Sequence, residues 1–301
     1  MINNLKIVLI RLLAFILVLS NFSCEDISSY DIIIVGGGTS GVVSAIQSSR
    51  MGSKTLLIEE SNWLGGMLTS AGVSAMDGNY KMPSGFLKEF RDSLVSHYGN
   101  LDSLKTGWVS NLMFEPSVGN KILKEIAQSE KNLTIMYKTT IHKVVKDEKF
   151  KIKINQNDIT YNSTILIDAT ELGDLIPKLN LPYFIGMDSR KKFNEDIAPE
   201  FSNNIIQDLT YVMILKDFNK DMTIEKPKNY DRNEFICSYD SGECFKRDKK
   251  LWSKEKLISY GKLPNNKYMI NWPINGNDYY SNSIEMTAQE RLLSYDRAKQ
   301  K

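Results

Sequence analysis

The sequence predicts an α/β protein built on a parallel β-sheet, followed by a smaller mixed α+β region. Residues 30–35 (YDIIIV) form the continuous apolar run expected of a strand that is buried on both faces of a parallel sheet. A glycine-rich turn and apolar residues at helical spacing follow at once, and residues 54–58 form the next strand. From about residue 182 the pattern changes to short strands among polar loops. The order strand, turn, helix, strand is typical of α/β folds.

Length and charge narrow the possible functions. The 301 residues suit one large or two modest domains, and 42% hydrophobic with 25% charged residues excludes a disordered or fibrous chain. Lys6 and Arg11 lie in the first 24 residues, which contain no acid, so the rest of the chain has 36 basic and 36 acidic residues. A chain with no net charge has no electrostatic footprint for nucleic acid, and we expect no nucleic-acid partner.

The N-terminal segment has the pattern of an export signal. Residues 5–19 (LKIVLIRLLAFILVL) are apolar except at Lys6 and Arg11, and are too short to span a bilayer comfortably. The segment ends at Cys24, which two acidic residues follow, and this resembles the processing site of bacterial lipoproteins. We therefore predict a lipoprotein-type signal peptide over residues 1–24, lipidation of Cys24, and export to the cell envelope. A simply cleaved signal or a retained short anchor are the alternatives; we expect no other membrane contact.

The glycine turn at residues 36–41 (GGGTSG) predicts dinucleotide binding. Gly36 permits a tight turn off the strand, Gly38 lets the backbone approach a pyrophosphate, and Gly41 lets the helix pack close to the sheet. The helix N-terminus offers N–H groups and a positive dipole end to phosphates. Glu59, at the end of the second strand, has the spacing expected of a carboxylate that binds ribose hydroxyls. The predicted site comprises Gly36, Gly38, Thr39, Ser40, Gly41, Glu59 and Glu60.

The remaining elements are predicted from the spacing of apolar residues and from the residues that begin or end helices. Pro83 and Ser84 precede a helical face that Gly99 closes, and Pro116 begins a second helix. Thr287 with Glu290 three residues later forms a capping box for a final helix. Apolar or alternating runs predict strands at 133–137, 141–145, 150–154, 164–168, 209–215 and 268–271, with a hairpin turn near Asp147.

Two further motifs give the sequence a family resemblance. A Gly65-Gly66-Met67 segment follows the second strand, and residues 165–177 (ILIDATELGDLIP) form a strand that ends in A-T-x-x-G-D. Together with the glycine turn they resemble the FAD-dependent oxidoreductases of the glutathione-reductase-like flavin fold. The resemblance implies a Rossmann-like FAD-binding domain with FAD as cofactor. It also implies cofactor contacts at Gly65, Gly66, Met67, Ala169, Thr170, Gly173 and Asp174, and a backbone contact near the adenine at Ile141.

Several longer segments resemble one subgroup of this family, often found as exported bacterial proteins of unassigned substrate. These segments are residues 77–92, 114–126, 207–217 and 270–280. The subgroup is expected to have a histidine after D-G-N, whereas this chain has Tyr80, so no role for a histidine is carried over. Asp77, Asn79 and Tyr80 are the candidates for bonding substrate near the flavin ring, and ordinary loop residues are the alternative. No catalytic acid or base is assigned.

The cysteines predict a disulfide rather than a metal site. Lipidation of Cys24 would leave Cys237 and Cys244 as a pair in an oxidising compartment, separated by turn-forming residues. Two unpaired thiols are the alternative. With only two histidines in the chain, we expect no metal site.

These observations divide the chain into four predicted parts. They are the signal peptide (1–24), an FAD-binding domain (25–181), a mostly β substrate or cap domain (182–286), and the start of a helix (287–301). No glycine or proline ends that helix, and the late glycine and acid expected of the parent fold do not follow, so we expect a truncated chain.

The resemblance implies an FAD-dependent oxidoreductase that transfers hydride between a small-molecule substrate and flavin N5. The alternative is an FAD- or nucleotide-binding envelope protein without turnover. The sequence does not identify the substrate or the oligomeric state.

Overall fold

A computed structural model describes residues 27–157, 159–226, 228, 230–237, 251–271 and 278–300. The predicted signal peptide, Cys24 and Cys244 lie outside these residues. The described chain has a large six-stranded sheet, two small sheets and seven helices.

The large sheet has the strand order β3-β2-β1-β6-β5-β4. Strands β3, β2, β1 and β6 run parallel, and β5 and β4 continue the sheet as an antiparallel hairpin. Val35 pairs with both Ile58 and Asp168, so the carboxyl ends of β1, β2 and β6 meet at one edge. The strands are β1 (Ile27–Val35), β2 (Thr55–Ile58), β3 (Leu133–Met136), β4 (Ile141–Lys146), β5 (Phe150–Ile154) and β6 (Thr160–Asp168).

Three helices cover one face of this sheet. They are α1 (Thr39–Arg50), α2 (Gly85–Tyr98) and α3 (Pro116–Gln128). Side chains alternate along a strand, so Ile34 and Leu57 point to this face, where Val42 and Leu94 pack against them. The predicted helix stop at Gly99 is confirmed, because this residue adopts a φ of +93° and its N–H bonds to Val95 O.

On the opposite face, side chains of β1 and β2 pack with side chains of the β4–β5 hairpin and of the short helix α4 (Leu175–Lys178). Ile33 and Leu56 point to this side and pack with Val144 and Ile152 of the hairpin. Both faces of β1 and β2 are therefore buried, as their continuous apolar sequences predict. The predicted α/β fold with a parallel sheet is confirmed.

The later part of the chain has shorter elements. A three-stranded antiparallel sheet has the order β8-β10-β9, and β7 pairs with β11. Met113, Tyr260, Leu263 and Met269 form a small core beneath them. The elements are α5 (Arg190–Phe193), β7 (Leu209–Thr210), β8 (Met213–Lys216), α6 (Lys254–Tyr260), β9 (Lys262–Leu263), β10 (Lys267–Ile270), β11 (Asp278–Tyr279) and α7 (Ala288–Gln300).

Two sequence expectations in this part have different outcomes. The single strand predicted over residues 209–215 is wrong: β7 and β8 join different sheets, and Tyr211 and Val212 lie between them. The capping box of α7 is confirmed, because Thr287 N–H bonds to Glu290 Oε2 at 2.9 Å and Glu290 N–H bonds to Thr287 Oγ1 at 3.3 Å. The domain boundaries drawn from the sequence remain predictions.

Candidate functional site

The glycine turn after β1 is shaped by its own close packing. Gly36 has a φ of +100°, and a Cβ there would lie 2.2 Å from Ala169 O. A Cβ on Gly41 would lie 1.9 Å from Gly36 O. Both positions therefore need glycine, because the start of α1 and the loop after β6 press against the turn.

Gly38 is different because no backbone atom lies within 3.5 Å of its Cβ position. It has a φ of −60° and is the N-cap residue of α1. A Cβ there would meet Glu171 Oε1 at 3.1 Å and next Ala169 O at 3.9 Å. The α1 N-terminus has no side-chain cap and no acid in its first turn. Its first N–H groups are therefore available to an anion that approaches over Gly38.

A second glycine segment lies directly beside the first. Gly65 N–H bonds to Gly37 O at 2.8 Å, and Thr39 Oγ1 donates to Gly65 O at 2.8 Å. Gly65 has a φ of +109°, and Gly66 begins a short 3₁₀ turn in which the Met67 side chain is 60% exposed. Residues 36–41 and 65–67, far apart in the sequence, thus form one continuous surface.

Glu59 lies at the end of β2 and is buried, with only 8% of its surface exposed. Its Oε2 accepts a hydrogen bond from Gly37 N–H at 2.6 Å, and its Oε1 accepts one from Ser61 N–H at 2.8 Å. The backbone N–H of Thr139 bonds to Glu59 O, which brings the chain leading to Ile141 alongside the carboxylate. Ile141 begins β4 and is half-buried.

The loop after β6 is organised by Asp168. This carboxylate accepts hydrogen bonds from Thr170 N–H at 3.0 Å and Thr170 Oγ1 at 2.7 Å, and on its other oxygen from Leu175 N–H at 3.0 Å. Ala169 N–H bonds to Val35 O at 2.8 Å, which continues the β1–β6 pairing into the loop. The A-T-x-x-G-D segment is therefore held against the glycine turn.

Acidic side chains surround this edge of the sheet. Asp174 forms an ion pair with Arg291 of α7 at 3.1 Å. Desolvation raises the pKa of Glu60, and the charges of Glu59, Asp174 and Glu171 add to this rise. Arg291 opposes the rise. Apart from Arg291, the charged groups that shift the pKa of Glu60 are all carboxylates.

The three substrate candidates are held by other contacts. Asp77 is exposed, Asn79 Oδ1 accepts from Lys81 N–H at 3.2 Å, and the Tyr80 ring packs against the α1–α3 core. Arg91 of α2 donates to the Tyr80 carbonyl at 2.9 Å. In the described part of the chain, no hydrogen bond joins these three side chains to the glycine turns.

The charge of Asp77 acts on Tyr260 in the later part of the chain. Burial raises the pKa of Tyr260, a hydrogen bond from Asn271 opposes this, and the charge of Asp77 adds to the rise. The substrate role of residues 77–80 remains a prediction.

Comparison with known proteins identifies the family. Residues 31–300 match the FAD dependent oxidoreductase family. The chain belongs to this family. Its cofactor is therefore FAD, as the family resemblance of the sequence implies.

Individual relatives are more distant than the family match. The digeranylgeranylglycerophospholipid reductase of Methanococcus vannielii is 25% identical over 174 residues, which are 56% of this chain and 43% of the reductase. The chain thus spans less than half the length of this relative. Bacillithiol disulfide reductase of Staphylococcus aureus is 21% identical over 49% of this chain and 40% of that chain, with a TM-score of 0.31. Lactococcus lactis thioredoxin reductase is 19% identical over 47% and 35%, with a TM-score of 0.30.

The cradle of this FAD-dependent oxidoreductase family member fits the cofactor's phosphates. A Cβ at Gly36 or Gly41 would overlap with backbone atoms, whereas a Cβ at Gly38 would meet only the Glu171 carboxylate within 3.5 Å. The atom nearest to the Gly38 Cβ position is an oxygen of the Glu171 carboxylate. This carboxylate and the cofactor's phosphates are both negatively charged. Gly38, Gly66 and the α1 N-terminus would therefore hold the pyrophosphate, and Glu59 the ribose.

Sequence reasoning missed three residues of this site. Glu171 lies within the quoted A-T-E-L-G-D segment, but the motif assigns no role to its second x position. Asn120 accepts a hydrogen bond from Leu64 N–H at 2.9 Å and so fixes the approach to Gly65. Arg291 comes from the final helix, and no local pattern indicates that it reaches Asp174.

Other predictions concern residues beyond this site. Cys237 is disulfide-bonded, and Cys244 lies outside the described residues. Within the described ranges, no group of three or more His, Cys, Asp or Glu side chains is placed to hold a metal ion. None of the helices described is long and apolar enough to cross a membrane.

Proposed function

We propose that this chain binds FAD along its two glycine segments and uses it to transfer hydride between a small-molecule substrate and flavin N5. The observation that carries the proposal is Gly38 at the uncapped N-terminus of α1, where a Cβ would meet no backbone atom within 3.5 Å and only the carboxylate of the exposed Glu171. When bound, FAD supplies the hydride acceptor or donor, and the protein supplies position and electrostatics.

Each part of the cradle has a defined task in this proposal. The first N–H groups of α1 bond to the pyrophosphate, and the helix dipole favours its charge. Glu59 accepts hydrogen bonds from the ribose hydroxyls, and the bond from Gly37 N–H holds its carboxylate in position. Asp168 fixes the loop that closes over the turn.

The direct test is FAD binding by the purified chain. We expect yellow protein with a two-band flavin spectrum, or a colourless protein that acquires this spectrum on titration with FAD. Gly38→Val should abolish retention, because the added side chain fills the approach to the phosphates. Circular dichroism and a thermal melt on the same sample should show that the variant is folded. A folded Gly38→Val protein with unchanged flavin content contradicts the assigned site.

Turnover separates the oxidoreductase from an FAD-binding protein without catalysis. A catalytic chain bleaches its flavin band with a reducing substrate and regains it with an electron acceptor. Since the chain spans 43% of the relative found in Methanococcus vannielii, the assay should include any longer product of the same gene. Bound FAD that dithionite reduces but no substrate does favours the non-catalytic alternative.

We also propose that the protein is exported and anchored in the cell envelope through lipidated Cys24, which lies outside the described residues. The basis is the apolar segment at residues 5–19 and the acids that follow Cys24. Cys24→Ala should release the protein from membranes. Continued membrane association of the Cys24 variant contradicts lipidation.

A further inference from the structure

The Glu171 carboxylate lies against both glycine segments of the FAD cradle. Its Oε1 would be 3.1 Å from a Cβ on Gly38 and 2.6 Å from a Cβ on Gly66. These two glycines face each other across the cradle, because Gly38 and Gly65 form a parallel bridge. One carboxylate oxygen thus borders the Gly38 and Gly66 backbone that the cofactor's phosphates have to approach.

Glu171 is held there without a hydrogen bond. Among the described residues no donor bonds to its carboxylate, in contrast to Glu59 and Asp168, each of which accepts backbone N–H groups. The side chain is also exposed. An exposed carboxylate with no hydrogen bond is free to leave when another anion competes for the same place.

The surrounding charges add to the competition. Glu60, Glu59 and Asp174 are acids of the same edge, and the charges of Glu59, Asp174 and Glu171 all raise the pKa of Glu60. Arg291 is committed to Asp174 at 3.1 Å and to the Ser283 carbonyl at 3.0 Å. A pyrophosphate that enters beside Glu171 therefore meets a like charge, and within the described part of the chain Glu171 forms no ion pair that would neutralise it.

We propose that the Glu171 carboxylate competes with the cofactor's phosphates for the cradle, and that its negative charge slows and weakens FAD binding. The inference rests on the proposed FAD site. The Glu171 charge lies where the cofactor's phosphates have to approach and opposes their entry. Removing that charge should strengthen cofactor binding, which is the opposite of what a residue that binds FAD directly would show.

The experiment compares FAD binding by the wild-type chain, Glu171→Gln, Glu171→Ala and Glu125→Gln. Glu125→Gln is the matched control, because this exposed glutamate lies near the C-terminal end of α3. Flavin fluorescence titration gives Kd, and stopped-flow mixing gives the association rate. We expect Glu171→Gln to lower Kd and raise the association rate by about tenfold together, from the loss of one like charge at close range. The gain should shrink at high salt.

Each outcome bears on a different claim. A gain in Glu171→Gln and Glu171→Ala but not in Glu125→Gln supports the inference. A gain in Glu171→Ala alone assigns the effect to bulk and overturns the role of the charge. Unchanged or weaker binding in both, with tight binding by the wild type, overturns the inference and leaves the FAD site standing. Absence of FAD binding in all four proteins overturns both.

Discussion

The sheet around β1 and the chain after residue 181 use apolar side chains in different ways. Ile33, Ile34 and Leu57 are fully buried in the parallel sheet. Ile197 and Ile224 in the later part are 98% and 80% exposed. The parallel strands are covered on both faces, whereas β8 is an edge strand of a three-stranded sheet. The difference indicates that the cofactor cradle rests on the part of the chain that has its own complete core.

The largest loss of stability is expected at Gly41, in the glycine turn. In Gly41→Ala the new Cβ would lie 1.9 Å from Gly36 O. This oxygen cannot move away unless the turn loses its contact with Ala169. We expect a loss of about 3–5 kcal/mol in the free energy of unfolding, measured by urea denaturation. Gly38→Ala is the control and should cost less than about 1 kcal/mol, because its Cβ meets only the Glu171 carboxylate below 3.5 Å. Equal losses would contradict the packing described for the turn.

A matched pair of leucines measures the difference between the two parts directly. Leu57 is fully buried, and Leu57→Ala should lower the free energy of unfolding by about 2–5 kcal/mol. Leu215 is 45% exposed in β8, and Leu215→Ala should change it by no more than about 0.5 kcal/mol. Urea denaturation of both variants under one condition checks the prediction. A large effect at Leu215 would show that something covers β8 in solution.

A smaller effect is expected at the contact that ties the two parts together. Glu115 at the start of α3 is buried and accepts hydrogen bonds from Lys267, Asn265 and Tyr98. Burial alone would raise the pKa of Glu115, but the bonds from Lys267 and Asn265 outweigh it and hold this pKa below its ordinary value. Lys267→Met should cost about 1–3 kcal/mol at pH 7, because it leaves the carboxylate without its cation.

The pH dependence of this loss has a definite sign. The pKa of Glu115 is lower in the folded than in the unfolded chain, so its stabilisation is complete above the unfolded value of about 4.3 and is lost as pH falls through the folded value. The difference between wild type and Lys267→Met should therefore shrink at acidic pH. Lys262→Met, at an exposed position in β9, is the control. A difference that stays constant to pH 3 would contradict the ion pair.

The sequence predicts the parallel sheet well because its signals are local. The apolar run before Gly36 and the helical spacing after Gly41 depend only on neighbouring residues, and the structure confirms β1, α1 and β2. The same holds for the capping box at Thr287 and Glu290. In such segments, propensity and burial indicate the same element.

The later part is harder to predict because pairing partners decide its elements. Residues 209–215 have one continuous pattern, yet Thr210 pairs with Asp278 and Met213 pairs with Ile270. The choice between two sheets is made by residues about 60 positions away, and periodicity contains no information about it. Glu171 and Arg291 were missed for a related reason, since their positions matter only once distant loops come together.

The hydrogen bond from Gly65 N–H to Gly37 O gives the two glycine segments a fixed spacing. The relative position of the two segments that would hold the cofactor is thus set by the folding of the chain. In the proposed site FAD would therefore have little backbone to reorganise, so little of its binding energy would be spent on ordering the chain. A nucleotide whose two halves are spaced differently would not match both segments at once.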